Sequence, residues 1–181
     1  LTNEIKESGE TLTYTYDLAG NKTSFTTDHG TITYTYDALN RLATVTDAAG
    51  TTTYSYDAVG NLASTAYPNG VTSTYAYSNV NRLLSMANAG PGGTISSYTY
   101  TLGPAGNRLT LVEAGSGTTG RSATYDYDAS LRLTGEHIDA PGAGADLTIT
   151  YDYDPVGNRI GMTRNGVATT SSFDDNDRLT S

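Results

Sequence analysis

Tyr34-Thr-Tyr-Asp-Ala-Leu-Asn-Arg-Leu42 and Tyr54-Ser-Tyr-Asp-Ala-Val-Gly-Asn-Leu62 stand 20 residues apart and share one grammar. Each opens with two tyrosines separated by one residue. Residues at i and i+2 of a strand point to the same face, so the two rings lie side by side on one surface. Asp follows. Its carboxylate accepts backbone N–H bonds at the start of a turn, and the Asn or Gly three residues on tolerates positive φ. Leu then resumes an extended pattern. Each stretch therefore predicts strand, tight turn, strand.

Working outward, the pair recurs at Tyr14/Tyr16, Tyr75/Tyr77, Tyr98/Tyr100, Tyr125/Tyr127 and Tyr151/Tyr153, and an eighth, decayed copy has Ser171/Phe173. Of the 15 tyrosines, only Tyr67 lies outside the motif. The second aromatics are 20, 20, 21, 23, 27, 26 and 20 residues apart. The longer gaps hold the inserts Ala89-Gly-Pro-Gly-Gly93, Gly115-Ser-Gly-Thr-Thr-Gly120 and Pro141-Gly-Ala-Gly144, which belong on loops. A second turn signal falls midway, at Asp28-His-Gly30, Asp47-Ala-Ala-Gly50, Pro68-Asn-Gly70 and Arg164-Asn-Gly166. Two turns of about four residues leave two strands of about six, the usual strand length. The expected fold is all-β: tandem antiparallel hairpins of about 20 residues each, forming a continuous sheet strip without helix. Residues 1–181 read as a single array of about eight copies.

A longer period lies above the short one. The residue after the turn's Gly/Asn slot reads Asn21, Arg41, Asn61, Arg82, Asn107, Arg132, Asn158, Arg178, alternating without exception. The slot itself reads Gly20, Asn40, Gly60, Asn81, Gly106, Leu131, Gly157, Asp177. The true unit is a dyad of about 40 residues, and neighbouring hairpins are expected to meet different surroundings. Arg41, Arg82, Arg108, Arg132, Arg159 and Arg178 follow the Asp position by four or five residues and are expected to pair with it as exposed salt bridges. Leu131 departs from the pattern, because a Leu with left-handed φ meets a Cβ–carbonyl clash. The expectation is that this turn changes type to avoid it.

Composition supports an aromatic strip and excludes several classes. Leu, Ile, Val and Phe make up about a sixth of the chain, below the roughly 20% at which high charge predicts disorder. Only 16% of residues are charged, however, and 15 Tyr supply large rings whose hydroxyls stay wet. Thr and Tyr together are strand composition, and the expected core is aromatic. The net charge of −9 makes a poor partner for nucleic acid or anionic lipid. No apolar run is long enough to span a membrane as a helix. The absence of cysteine excludes disulfides and thiolate metal sites. The chain begins at Leu1, and it is expected to be a mature product or part of a longer chain.

The motifs Tyr-x-Tyr-Asp-x-x-Gly-Asn-Arg and Tyr-x-Tyr-Asp-x-x-Asn-Arg-Leu resemble the YD repeat, also called the RHS repeat, from Tyr14 to Leu179. The likeness is weakest in copy four, where Ser78 replaces Asp, and in copy five, where Thr101-Leu-Gly-Pro-Ala-Gly106 replaces the Asp turn. The resemblance implies a β-strip that spirals into a hollow shell. In bacterial members such a shell encloses a C-terminal toxin domain, and other members are secreted or wall-associated. Teneurins use a related shell in cell adhesion. It implies a non-enzymatic structural repeat at the surface of, or outside, a bacterial cell, whose partners are further copies of the repeat in the same chain or neighbouring subunits, and an enclosed toxin-like domain. A shell wall and an elongated β-rod or fibre are both compatible with it. The competing class is a carbohydrate-binding or adhesion module. In that reading the Tyr rings would stack on glycans.

No catalytic, cofactor or metal site is expected. Gly115-Ser-Gly117-Thr-Thr-Gly120 matches G-x-G-x-x-G but leads into a strand, whereas a dinucleotide site opens a helix. His29 and His137 are isolated in sequence. Asp174-Asp-Asn-Asp177 lacks the Gly and distal Glu of a calcium loop and reads as a turn. Asp154-Pro-Val-Gly157 fills the ordinary turn slot of copy seven. Asn21-Lys-Thr23 is an N-glycosylation sequon that coincides with the turn motif. The residues assigned a role, a structural one, are Tyr14, Tyr16, Tyr34, Tyr36, Tyr54, Tyr56, Tyr75, Tyr77, Tyr98, Tyr100, Tyr125, Tyr127, Tyr151, Tyr153 and Phe173.

Overall fold

The computed structural model describes residues 2–5, 11–116, 118–141 and 146–180. Gly117 of the second insert, Gly142, Ala143 and Gly144 of the third, and Ser181 lie outside the described residues. Sixteen strands follow one another: β1 (Thr2–Ile5), β2 (Thr11–Tyr16), β3 (Lys22–Thr27), β4 (Gly30–Tyr36), β5 (Leu42–Asp47), β6 (Gly50–Tyr56), β7 (Leu62–Ala66), β8 (Thr72–Tyr77), β9 (Leu83–Gly90), β10 (Gly93–Leu102), β11 (Arg108–Gly115), β12 (Thr118–Tyr127), β13 (Leu133–Asp139), β14 (Leu147–Tyr153), β15 (Arg159–Arg164) and β16 (Val167–Thr170). All described pairings are antiparallel, and strand order is chain order without a crossover. No described residue is helical, so no helix is long and apolar enough to cross a membrane. The chain divides into two compact units, Leu1–Ala76 with Asn88–Gly93, and Tyr77–Ala87 with Thr94–Ser181.

In the first unit β4 and β5 set the pattern. Tyr34 lies opposite Val45, Thr35 opposite Thr44 and Tyr36 opposite Leu42, with the register shifting between Thr35 and Tyr36. The same shift falls between Thr15 and Tyr16, and between Ser55 and Tyr56. In the second unit it falls between Thr101 and Leu102, Asp126 and Tyr127, and Asp152 and Tyr153. Each shift is a β-bulge that places one extra residue on the return strand. Leu42 and Val45, three apart in sequence, thereby both lie across from tyrosines. Simple period-2 alternation does not predict this.

The two faces of each unit differ in chemistry. On the face away from the rings, hydroxyls meet across strands: Thr26–Thr31 at 2.9 Å, Thr35–Thr44 at 2.6 Å, Thr46–Thr51 at 2.8 Å and Ser55–Ser64 at 2.7 Å in the first unit, and Thr101–Thr110 at 2.7 Å in the second. Such pairs contribute roughly 0.2–1 kcal/mol each. The tyrosine face is half-buried. The aromatic core expected from sequence is not an enclosed one: within each unit strands pack on their chain neighbours, and among the described residues only Leu12, Leu111 and Ala123 are buried apolar side chains. All the repeat tyrosines but Tyr16 keep part of their surface, though the smaller part, in contact with solvent.

Candidate functional site

The features that set this array apart chemically sit in its Asp turns. In copy two, Asp37 Oδ1 accepts the backbone N–H groups of Leu39 and Arg41 at 2.9 Å each, and Oδ2 accepts Arg41 Nε at 2.7 Å. The backbone closes beneath it, with Asn40 N–H donating to Asp37 O and Asp37 N–H to Arg41 O. Asp17, Asp57, Asp128, Asp154 and Asp174 hold their turns in the same way. Ser78 replaces the carboxylate in copy four and still accepts from Val80 and Arg82 through Oγ. Gly103 keeps the backbone pair with no side chain at all. Tyr67-Pro-Asn-Gly-Val71, read from sequence as a midway turn, uses this same backbone closure.

Hydrogen bonds to the ionised form lower a carboxyl pKa, and all six Asp carboxyls are held below the usual range. The leading cause is the side-chain amide of Asn21 at Asp17 and of Asn61 at Asp57, the backbone amide of Arg41 at Asp37 and of Arg132 at Asp128, and the Arg178 side chain at Asp174. At Asp154 lost hydration pulls upward most strongly, and the donors on Asn158, Gly157 and Val156 together outweigh it. A folded pKa below the unfolded value of about 3.9 gives stability that is fully present above that value. It is lost as pH falls through the folded pKa. Thermal midpoints should therefore hold steady near neutrality and drop as acid is added below about pH 4. An Asp37→Asn, Asp128→Asn double variant should show a shallower acid slope, and an unchanged slope would refute the assignment.

The alternation of Arg and Asn has a geometric cause in the contacts that Asn21, Arg41, Arg82, Arg132 and Asn158 make with the following copy. Asn21 Nδ2 donates to its own Asp17 Oδ2 at 2.9 Å and onward to Asn40 Oδ1 at 3.1 Å. Asn158 Nδ2 does the same, to Asp154 Oδ2 at 3.0 Å and Asp177 Oδ1 at 2.8 Å. After the turns of Asn21 and Asn158, the next slot thus carries a short acceptor. After an Arg turn, the next slot is Gly, and the guanidinium lies over it, closely at Gly106 and in ordinary contact distance at Gly60 and Gly157. A Cβ on Gly106 would lie 2.7 Å from Arg82 Cζ, and on Gly60 it would lie 3.8 Å from Arg41 Nη1. Arg82 and Arg132 Nη1 continue to the carbonyls of Pro104 and Asp154 in the following turn, each at 3.1 Å. Arg41 and Arg132 also lie over the Tyr56 and Tyr153 rings of the following copy, at 4.4 and 4.8 Å.

The arginines therefore divide. Arg41, Arg132 and Arg178 pair with their turn Asp as expected. Arg82 has only Ser78 there and spans to the next turn. Arg108 and Arg159 instead stack on Tyr100 and Tyr151, at 4.3 and 5.5 Å. They stand one residue later than the pairing position, and the bulge turns them onto the ring face.

The repeat tyrosines are half-buried, except Tyr16, which is exposed. Tyr36, Tyr56 and Tyr153 donate their hydroxyls to the carbonyls of Lys22, Leu42 and Leu133 at 2.8–2.9 Å. Each acceptor starts the adjacent strand. Tyr151 donates to Glu136 Oε1, and this bond raises its pKa to about 12. Tyr14 stacks on Phe25 at 5.0 Å. Half-buried Phe173 forms an isolated bridge with Leu179.

Leu131 corrects the sequence expectation. Its φ is 62°, beside 58° for Asn40 and 59° for Asp177, and its N–H donates to Asp128 O as Asn40 does to Asp37 O. The turn has kept its form and carries the strain. His29 lies in the β3–β4 turn, and His137 Nδ1 lies 3.1 Å from Thr148 Oγ1 on β14. Among the described residues no three His, Cys, Asp or Glu side chains gather as a metal site. The amide of Asn21, the sequon residue, is engaged within the turn rim.

Residues 23–52, 36–72 and 56–95 match the RHS Repeat family model. No curated protein matches the sequence. Among solved structures, the chain is similar to the Photorhabdus luminescens Tc holotoxin pore, with 19% identity and a TM-score of 0.77 over 94% of this chain and 10% of that one. It is equally similar in fold to TcdB2-TccC3-Cdc42 and to TcdB2-TccC3 without the hypervariable C-terminal region, at 18% identity, a TM-score of 0.77, and the same 94% and 10% coverage. At this identity the likeness is one of fold, and the chain spans about a tenth of those toxin chains. Residues 23–95 thus carry RHS repeats, and this matched stretch shares its hairpin, turn closure and bulge with copies beyond it.

Proposed function

We propose that this chain is a length of wall from an RHS shell, a non-enzymatic bacterial extracellular structural repeat that helps enclose a toxin-like C-terminal domain. Residues 1–181 are one array of about eight copies within a longer chain, and the repeat tyrosines and Phe173 serve the strip itself. The observation that carries this reading is the turn rim: four of the turns hydrogen-bond to the next one along, which ties successive hairpins into one repeating strip. The fold likeness to Tc toxin chains, over a tenth of their length, agrees with it. The test is the full parent chain, secreted and treated with protease. A C-terminal segment that resists digestion until the repeats are denatured is the expected result. Filaments seen by electron microscopy, or a C-terminal segment cut at once in the folded protein, would overturn the shell reading. Saturable glycan binding abolished by one Tyr substitution, with the fold retained, would replace it with the adhesion class.

A further inference from the structure

We propose that the first unit carries a peptide-binding niche between its β3–β4 and β5–β6 turns, which takes a prolyl ring flanked by a basic side chain from a partner polypeptide. The neighbouring midway turns show how such a ring sits. A Cβ on Gly50 would lie 2.8 Å from Pro68 Cβ, and one on Gly70 would lie 3.2 Å from Pro91 Cγ. In each case the proline of the next midway turn packs on the glycine. Gly30 closes its hairpin opposite Thr27 as Gly50 does opposite Asp47, and both have positive φ, 144° and 129°. Yet nothing lies within 4 Å of a Cβ built on Gly30. The next turn along carries Ala48 and Ala49, where the β9–β10 turn carries Pro91 and Gly92. A methyl group at position 48 is too short to cover the glycine.

The result is a cavity of about 380 Å³ lined by residues of both turns, within the size range of ligand sites. Phe25 and Ile32, directly opposite each other on β3 and β4, supply its apolar wall. The Phe25 ring is held by Tyr14, with centroids 5.0 Å apart. Aromatic-walled grooves suit proline, whose fixed φ leaves little freedom to lose on binding. The polar end of the niche is acidic. Asp47 Oδ1 accepts the Ala49 N–H at 2.8 Å, and Oδ2 makes no hydrogen bond among the described residues. Asp28 stands in the other turn, next to His29, which also lines the cavity. No Lys or Arg lines it. The nearest placed cation, Lys22, starts β3 away from the turn and lies over the Phe25 and Tyr34 rings. A basic residue beside the bound proline therefore meets carboxylate at the turn end, and such complementarity selects the partner. Pro68 and Pro91, the prolines of this unit, are both engaged on their own glycines, so the ring comes from outside it.

The test is a titration of the folded, nitrogen-labelled chain with the peptide acetyl-Gly-Lys-Pro-Gly-amide, followed by amide NMR. The expected result is saturable shifts confined to residues 27–32 and 47–50. On the same chain, the peptide with Gly in place of Pro should bind several-fold more weakly, and so should the peptide with Glu in place of Lys. Asp47→Asn keeps an acceptor for the Ala49 N–H and should weaken the Lys peptide several-fold. Ala48→Pro gives this turn the residue that the β9–β10 turn has. Asp47 before it is already extended, as the residue before a proline prefers. The new ring should cover Gly30 from within and abolish the shifts. The peptide comparison on the unaltered chain decides the matter even if Ala48→Pro fails to fold. Absence of saturable shifts, equal binding of the Pro and Gly peptides or of the Lys and Glu peptides, or binding that survives in folded Ala48→Pro would each overturn the niche. None of these outcomes bears on the wall reading, which the protease experiment tests.

Discussion

Tyr56→Ala is expected to destabilise the array by about 3 kcal/mol, Tyr36→Ala by slightly less, and Tyr67→Ala by no more than about 1 kcal/mol. A tyrosine buries about 150–250 Å² when enclosed. Half of that, at about 25 cal/mol per Å², is about 2–3 kcal/mol. Tyr56 also donates to Leu42 O at 2.9 Å, worth about 1 kcal/mol net and leaving a part-buried carbonyl without its donor when lost. It supports the Arg41 guanidinium at 4.4 Å, worth about 0.5–1 kcal/mol at a partly exposed site. Truncation relaxes part of this sum. Tyr36 keeps the ring burial and the bond to Lys22 O. Tyr67 stands in the Asp slot of a turn, is 41% exposed, and makes no hydroxyl hydrogen bond among the described residues. Urea denaturation of the three variants decides the matter. Equal midpoints would mean that the tyrosines act as surface groups and that the strip is held by its backbone ladder and Thr pairs alone.

The loss at Tyr56 falls at the low end of the 3–5 kcal/mol of a fully enclosed aromatic even with its neighbours counted, and that shortfall marks where sequence reading stops. Period and turn chemistry are local, so the Tyr-x-Tyr-Asp stretches at 34–42 and 54–62 were enough to place the hairpins. The number of layers is not local. A face of tyrosines reads the same whether a second sheet lies over it or nothing does. The bulge after Thr35 was also hidden, because Leu42 and Val45 fit two strand faces equally well until the pairing is known. The dyad was legible as an alternation of Asn and Arg, but its cause lay between copies. Only the structure shows Arg82 occupying the space above Gly106 and Asn21 reaching Asn40. The division of Arg108 and Arg159 from the salt-bridging arginines follows from the same bulge.

Leu131→Asn is expected to raise stability by about 1–2 kcal/mol, and Leu131→Gly by up to about 1 kcal/mol. Two effects add for Asn. The first is backbone strain: Leu131 sits at φ 62° in the turn that Asn40 and Asp177 occupy at 58° and 59°. A branched side chain there costs roughly 1–2 kcal/mol that Asn and Gly largely avoid. Gly recovers less, since it also frees the unfolded chain. The second effect comes from the preceding copy. Asn21 and Asn158 are each held between their own Asp and a short acceptor in the next slot. Asn107 precedes Leu131 and has neither, because Gly103 replaces the Asp; its Oδ1 lies 2.5 Å from where a Gly103 Cβ would stand. The two irregular copies are thus one irregularity: without the Asp to aim it, Asn107 has no use for an acceptor at 131, and a Leu is tolerated. Restoring Asn at 131 supplies that acceptor. Gly103→Asp should do little alone, because the Asn107 amide must move to admit it. Combined with Leu131→Asn it should gain more than the two single changes together, since it rebuilds the contact seen between Asn21, Asp17 and Asn40. Thermal unfolding of the four proteins in this double-mutant cycle measures the coupling. Strict additivity, or a loss of stability with Leu131→Asn, would show that the turns of copies five and six are independent of each other.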